Sequence, residues 1–133
     1  MRYKYIEPKQ EVKELAYLYM ITDTEGYVKV GITKKKNIDK RLKQLQTGHA
    51  SEIFVYYTEE FECTRNRLLK IEKMIHREVG NKYKRTHGEW FKLSSPCNED
   101  ELSEIKNIII WNRIRYEQDD LYFTYGNLNP SYK

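Results

Sequence analysis

Two short stretches of alternating apolar and polar positions, residues 17–21 and 27–33, flank the segment Asp23-Thr24-Glu25-Gly26. They predict a β-hairpin with the loop Thr24-Glu25-Gly26, in which Gly26 takes the left-handed position where a Cβ would clash. In that register Asp23 faces Tyr27 and Tyr19 faces Gly31. Side chains alternate across a sheet, so Leu18, Met20, Val28, Val30 and Ile32 line one wholly apolar face, which predicts the core side. Tyr17, Tyr19, Ile21, Lys29, Gly31 and Thr33 line the other, and Gly31 leaves an open space opposite Tyr19 able to take a large substrate. An aromatic-rich sheet face with Lys29 in solvent fits the same residues, because strands favour tyrosine.

Beyond the hairpin the period changes. Ile38, Leu42 and Leu45 recur at helical spacing, predicting a helix over residues 37–47 with Asn37 as N-cap and Gly48 as its stop. The β-branched and aromatic run 53–61 predicts a third strand. Thr64 opens a long helix whose stripe is Leu68, Ile71, Ile75 and Val79, ending near Gly80. A short strand is expected over 89–93. Asn98 and Glu101 stand at capping-box-like spacing before a last helix carrying Leu102, Ile105, Ile108, Ile109 and Trp111. The N-terminal segment with Tyr3, Tyr5 and Pro8, and the tail with Asn129-Pro130, show no clear period.

A chain of 133 residues predicts one domain with one modest core. No apolar run approaches the length of a membrane span, and residues 1–8 lack the apolar stretch of a secretion signal. The two cysteines, Cys63 and Cys97, exclude a disulfide framework and a four-thiolate zinc site. A reducing, intracellular setting, cytoplasmic or nuclear, is expected. The net charge of +4 says little until its distribution is read. Lys29, Lys34, Lys35, Lys36, Lys40, Arg41 and Lys43 crowd one stretch, and Arg65, Arg67, Lys70, Lys73, Arg77, Lys82, Lys84 and Arg85 another. The last third is acidic. A polyanion is expected to dock on the first two stretches and avoid the third. A solvated lysine-rich surface fits the same runs.

Two residues on the predicted helices bear on chemistry. Arg41 borders the stripe of Ile38 and Leu45, so packing can hold it rigid, and a fixed guanidinium suits the charge that builds on phosphoryl oxygens during in-line attack. Glu72 follows Ile71, with His76 one turn on. One carboxylate with several waters is a common way to hold Mg²⁺. A salt bridge or surface pair is the alternative for each residue taken singly.

Taken in order, these pieces resemble the GIY-YIG nuclease superfamily. Tyr17-Leu18-Tyr19-Met20-Ile21 is similar to its first motif strand and Lys29-Val30-Gly31-Ile32-Thr33 to its second. Arg41-Leu42 is similar to the arginine motif, and Ile71-Glu72-Lys73-Met74-Ile75-His76 to the metal-binding glutamate motif. Gln44-Leu45-Gln46-Thr47-Gly48 and Gly88-Glu89-Trp90-Phe91 resemble a phage and virus-associated subgroup that often carries lysine in the second motif. The resemblance covers about residues 15–93. It implies an α+β domain with a three-stranded antiparallel sheet flanked by helices; outside it, the pattern gives an N-terminal extension (1–14), an added C-terminal helix packed on the same domain (94–119) and a tail (120–133).

The function it implies is metal-assisted hydrolysis of DNA. Tyr19 is then the catalytic phenol, activating or orienting the attacking water, with Lys29 on the same face. Arg41 stabilises the transition state, and Glu72 holds Mg²⁺, for which Mn²⁺ can substitute. Tyr17, Gly31, Lys34, Lys35, Lys40 and His49 are the expected substrate contacts. The chain departs from the pattern at Tyr17, where the motif has glycine, and at Lys29, where it has tyrosine. His49 and Asn81 are the nearest counterparts of two further family positions, and His76 is a candidate to stand in for them; His87 is the expected bystander. A noncatalytic nucleic-acid-binding module that keeps the fold is the alternative. The run Ile108 to Trp111 is apolar on more than one face, so a homodimer contact through the last helix is also expected.

Overall fold

Alternation sets the hairpin register, and the structure keeps it. The computed structural model describes residues 13–34, 37–86 and 88–125. Tyr3, Tyr5, Pro8, Lys35, Lys36, His87 and Asn129-Pro130 lie outside the described residues. Strand β1 (Lys13–Asp23) pairs antiparallel with β2 (Tyr27–Lys34), placing Tyr19 opposite Gly31 and Thr22 opposite Val28. Gly26 takes φ 91°, where an L side chain is strained. Asp23 Oδ1 accepts the backbone N–H groups of Glu25 and Tyr27, each at 2.9 Å, which closes the loop.

Helix α1 (Ile38–Thr47) follows, then β3 (Ile53–Thr64), which pairs antiparallel along β1 with a register shift between Met20 and Ile21. Helix α2 (Arg65–Lys82) starts on Thr64, whose Oγ1 accepts the Arg67 N–H at 3.4 Å. The two-residue β4 (Lys84–Arg85) and three-residue β5 (Trp90–Lys92) complete a sheet of order β3-β1-β2-β5-β4. The sheet thus has five strands, not the expected three. β4 is too short to leave a periodic signal, and β5 joins the same sheet through β2. Helix α3 (Glu99–Tyr125) starts on Asn98, whose Oδ1 accepts the Glu101 N–H at 3.2 Å, and it runs beyond residue 119, where the sequence placed its end. No helix among the described residues is long and apolar enough to cross a membrane.

Both faces of the hairpin are covered. Leu18, Met20, Val28 and Val30 meet the α2 stripe of Leu68, Ile71, Ile75 and Val79, with Leu102, Ile105 and Ile109 of α3. Each such side chain contributes about 1.5–3 kcal/mol on burial. The opposite face, expected to lie open, is roofed by Ile38, Leu42 and Leu45 of α1 over Tyr19, Ile21, Ile53 and Trp90. Tyr19 is 1% exposed and Lys29 6%, so neither a bare aromatic face nor a solvated lysine describes them. Along α3 the buried line is Leu102, Ile105, Ile109 and Asn112, whereas Trp111 is 56% exposed. Trp111 thus lies outside the core, because one helix face buries only the 102-105-109-112 line.

The hairpin turn is tied to the segment after α1. His49 Nε2 donates to Asp23 Oδ2 at 2.5 Å, and the His49 ring stacks on Trp90 with centroids 4.5 Å apart. Burial alone would push the Asp23 carboxyl up, but the Tyr27 N–H, His49 and the Glu25 N–H outweigh it and hold the group below the ordinary aspartate value. A folded-state pKa below the unfolded one contributes stability above about pH 4, lost as pH falls through the folded value. Asp23→Asn should cost about 1–3 kcal/mol at pH 7, with the gap to the parent protein narrowing below about pH 4. Urea unfolding at pH 7 and pH 3 checks this, and an equal gap at both would contradict it.

Candidate active site

β5 pairs with β2 only at Tyr27, Val28 and Lys29, yet β2 continues to Lys34. Beyond Lys29, backbone groups on the outer edge of β2 need other partners, since an unpaired buried donor or acceptor is costly. Helix α2 supplies them. His76 Nε2 donates to the Val30 carbonyl at 2.5 Å, and the Ile32 N–H donates to the Glu72 carboxylate. The helix repeat explains the pairing: Glu72 and His76 each follow a core residue, Ile71 and Ile75, one turn apart.

Glu89, one residue before β5, closes the cluster. The register that places Trp90 opposite Lys29 brings Glu89 Oε2 to 3.3 Å from Lys29 Nζ. Glu72, His76 and Glu89, each half-buried, offer ligand atoms within 4.8 Å of one another. Nε2 of His76 is the donor to Val30, so in the neutral imidazole the lone pair would sit on Nδ1. Burial holds the Glu72 carboxyl above the ordinary glutamate value; Glu89 adds to this, while His76, Lys29 and the Ile32 N–H oppose it.

The phenol and guanidinium approach from the α1 face. Arg41 Nε donates to Tyr19 Oη at 3.4 Å, so Tyr19 accepts from Arg41 and retains its own O–H for donation. Burial pushes the Tyr19 phenol above the ordinary tyrosine value; the Arg41 hydrogen bond and charge oppose this, and Glu72 and Glu89 reinforce it. Tyr19 is therefore an uncharged donor at neutral pH. Gly31 explains how the ring fits. A Cβ on Gly31 would stand 2.4 Å from Tyr19 Oη and 2.5 Å from Cζ, so the space opposite Tyr19 is filled by its own ring rather than left for substrate.

Tyr19, Lys29, Arg41, Glu72 and His76 thus gather near one sheet edge, with Arg41 and Glu72 acting on Tyr19 and with His76 and Lys29 acting on Glu72. A groove of about 860 Å³ opens at the Glu72 side of this group, lined by Glu72, His76 and Glu89 together with Lys73, Arg77 and Arg85, whereas Tyr19, Lys29 and Arg41 do not line it. Tyr17 shares the Tyr19 face and is half-buried, while Lys34 and Lys40 are exposed at the end of β2 and on α1. Lys35 lies outside the described residues. His49 is engaged with Asp23 and Trp90 and does not line the groove. Glu89 is the functional candidate that sequence reasoning left without a role. Its signal lay in Gly88-Glu89-Trp90-Phe91, but only the pairing of Trp90 with Lys29 gives it meaning.

Fold and cluster define a small α+β domain with a phenol, a guanidinium and an acid–imidazole group at the open edge of one strand. The chain belongs to the T5orf172 domain family, which matches residues 14–112. That family is a phage-associated domain found in homing-endonuclease-like proteins of GIY-YIG and HNH-related kinds; it fits a nuclease-like assignment and a nucleic-acid partner, and is distinct from the GIY-YIG superfamily itself. Among curated proteins and solved structures, nothing matches the chain.

Gly31→Ala tests the packing of the phenol. The added methyl must displace the Tyr19 ring, with an overpacking cost of about 1–3 kcal/mol. In Tyr19→Ala the ring is gone, so adding Gly31→Ala should cost less than it does in the parent protein, a coupling that a double-mutant cycle by urea unfolding reads directly. Additive effects would show that the two residues do not meet.

Proposed function

We propose that the protein is a metal-dependent DNA endonuclease that hydrolyses phosphodiester bonds in the GIY-YIG manner. The observation that carries this reading is the convergence, at the unpaired edge of β2, of the Tyr19–Arg41 pair and the Glu72–His76–Glu89 cluster. The donor set fits a divalent cation: two carboxylates and an imidazole oriented by its hydrogen bond to Val30. Glu72 would be the principal ligand, with His76 and Glu89 beside it, and Mg²⁺ or Mn²⁺ suits a carboxylate-dominated site. When bound, such an ion supplies Lewis-acid polarisation and charge neutralisation at the phosphate.

The chain's own groups divide the remaining work. Arg41, held by Tyr19 and by its place beside the α1 stripe, directs guanidinium donors toward phosphoryl oxygens, where charge rises in the transition state. Tyr19 keeps a protonated hydroxyl, so its suited role is to orient the attacking water or a phosphate oxygen by donating to it, rather than to remove a proton as a free phenolate. Lys29, buried and paired with Glu89, fixes the direction of that carboxylate and adds positive charge behind the cluster.

The 1% exposure of Tyr19 favours a second reading, a nucleic-acid-binding module without cleavage, because a catalytic phenol must reach the substrate. Supercoiled plasmid with Mg²⁺ or Mn²⁺ separates the two. For the nuclease, nicking is expected that EDTA stops, that Glu72→Ala reduces to background, and that Tyr19→Phe lowers by roughly 10²–10³-fold. Binding without cleavage under every divalent metal would leave only the binding module.

A further inference from the structure

The groove at Glu72, His76 and Glu89 continues past them. It runs along the outer side of α2 by Lys73, Leu69 and Lys70, and at Lys70 and Met74 it meets a second depression of about 210 Å³ between α2 and α3. That second depression adds Arg67, Asn112, Arg115 and Tyr116. Lys70, Lys73, Arg77 and Arg115 are exposed, while Arg67 lies over the Tyr116 ring at 5.3 Å. Acidic groups stand on the track as well: Glu72 and Glu89 line its β2 end, and Glu78 lies 3.6 Å from Arg115. On α3, Glu104 is committed to Lys82 and Tyr83, and Glu117 to Arg113 at 3.2 Å. Exposed Leu69 and Met74 add apolar surface between the cations.

We propose that this continuous basic track, from the edge of β2 across α2 to the α2/α3 groove, seats the sugar–phosphate backbone of one DNA arm leaving the scissile phosphate. The inference rests on the nuclease reading for where the scissile phosphate lies. Charge complementarity selects the occupant: the track carries cations at helical spacing, and a nucleic-acid backbone is a regular line of anions. Lys70 to Arg77 spans about 10 Å of helix at ~1.5 Å per residue, the axial length of about three phosphates of one strand. Leu69 and Met74 suit the apolar faces of deoxyribose between those phosphates. The opposite arm falls to the α1 side, where Lys40 and Lys43 flank Arg41.

The test is binding, measured apart from cleavage. Fluorescence anisotropy with a labelled duplex of about 30 base pairs, in EDTA to prevent cutting, compares the full chain with Lys70→Glu/Arg115→Glu across a salt series. Each phosphate contact contributes about −0.9 to the slope of log K against log salt. Loss of two contacts should flatten the slope by about 2 and weaken binding at least tenfold at low salt. Lys70→Gln/Arg115→Gln should give the same direction with a smaller loss, and an unchanged circular dichroism spectrum excludes misfolding. Parent-like affinity and slope in both double variants would overturn the proposal, as would an effect seen on duplex RNA but not on DNA. Binding that depends on the track without plasmid nicking would keep the track as the seat of a DNA backbone but defeat the nuclease reading and, with it, the placement relative to a scissile phosphate. Absence of DNA binding by the parent chain would defeat both.

Discussion

The arrangement hangs on the mismatch between a long strand and a short neighbour. β2 extends to Lys34, but β5 covers it only as far as Lys29. The uncovered edge presents backbone groups that demand partners, and α2 meets the demand with side chains rather than with another strand. A full-length β5 would satisfy Val30 and Ile32 by a ladder and leave Glu72 and His76 without a reason to point there. The site is therefore a by-product of sheet truncation, stabilised by the hydrogen bonds that the truncation left unmade.

That same edge is where the two faces of the sheet communicate. Tyr19 belongs to the α1 face and Glu72 to the α2 helix on the other, and the Glu72 charge helps to push the Tyr19 phenol up. Gly31 makes the crossing feasible, since a side chain there would collide with the Tyr19 hydroxyl. The phenol is thereby drawn over the strand toward the edge instead of standing upright beneath α1. Burial then raises its pKa, and the arginine keeps the oxygen engaged. An uncharged, firmly held donor is a consequence of packing before it is a feature of chemistry.

How much of this was legible in the chain follows from the range of the interactions. The Tyr19–Gly31 register, the Gly26 turn and the α2 stripe are local, and period and turn residues specify them. The clustering of Tyr19, Arg41 and Glu72 followed from motif order rather than from spacing. The roof over the second face was not legible. The apolar stripe of α1 was plain, but nothing local says which face of the hairpin it covers, so Lys29 and Tyr19 read as more open than they are. The contacts of His49 and the place of Glu89 in the cluster were not legible either. The partners of His49, Asp23 and Trp90, lie 26 and 41 residues away along the chain, and Lys29 stands 60 residues from Glu89. The two-residue β4 carries no period at all.

Helix α2 emerges as the element under the greatest number of constraints, and this explains its composition. One side must fill the core with Leu68, Ile71, Ile75 and Val79, of which Ile75 and Val79 are fully buried. The adjoining strip, one residue on, must offer Glu72 and His76 to the edge of β2. What remains is the solvent side, where Lys70, Lys73 and Arg77 stand exposed. A helix repeats every 3.6 residues, so these duties occupy adjacent stripes of one cylinder and cannot shift independently. Rigid packing on the first stripe fixes the second to within side-chain rotation and aligns the third beside it. The cations of α2 thus run alongside the acid–imidazole cluster, held in register with it by the helix repeat.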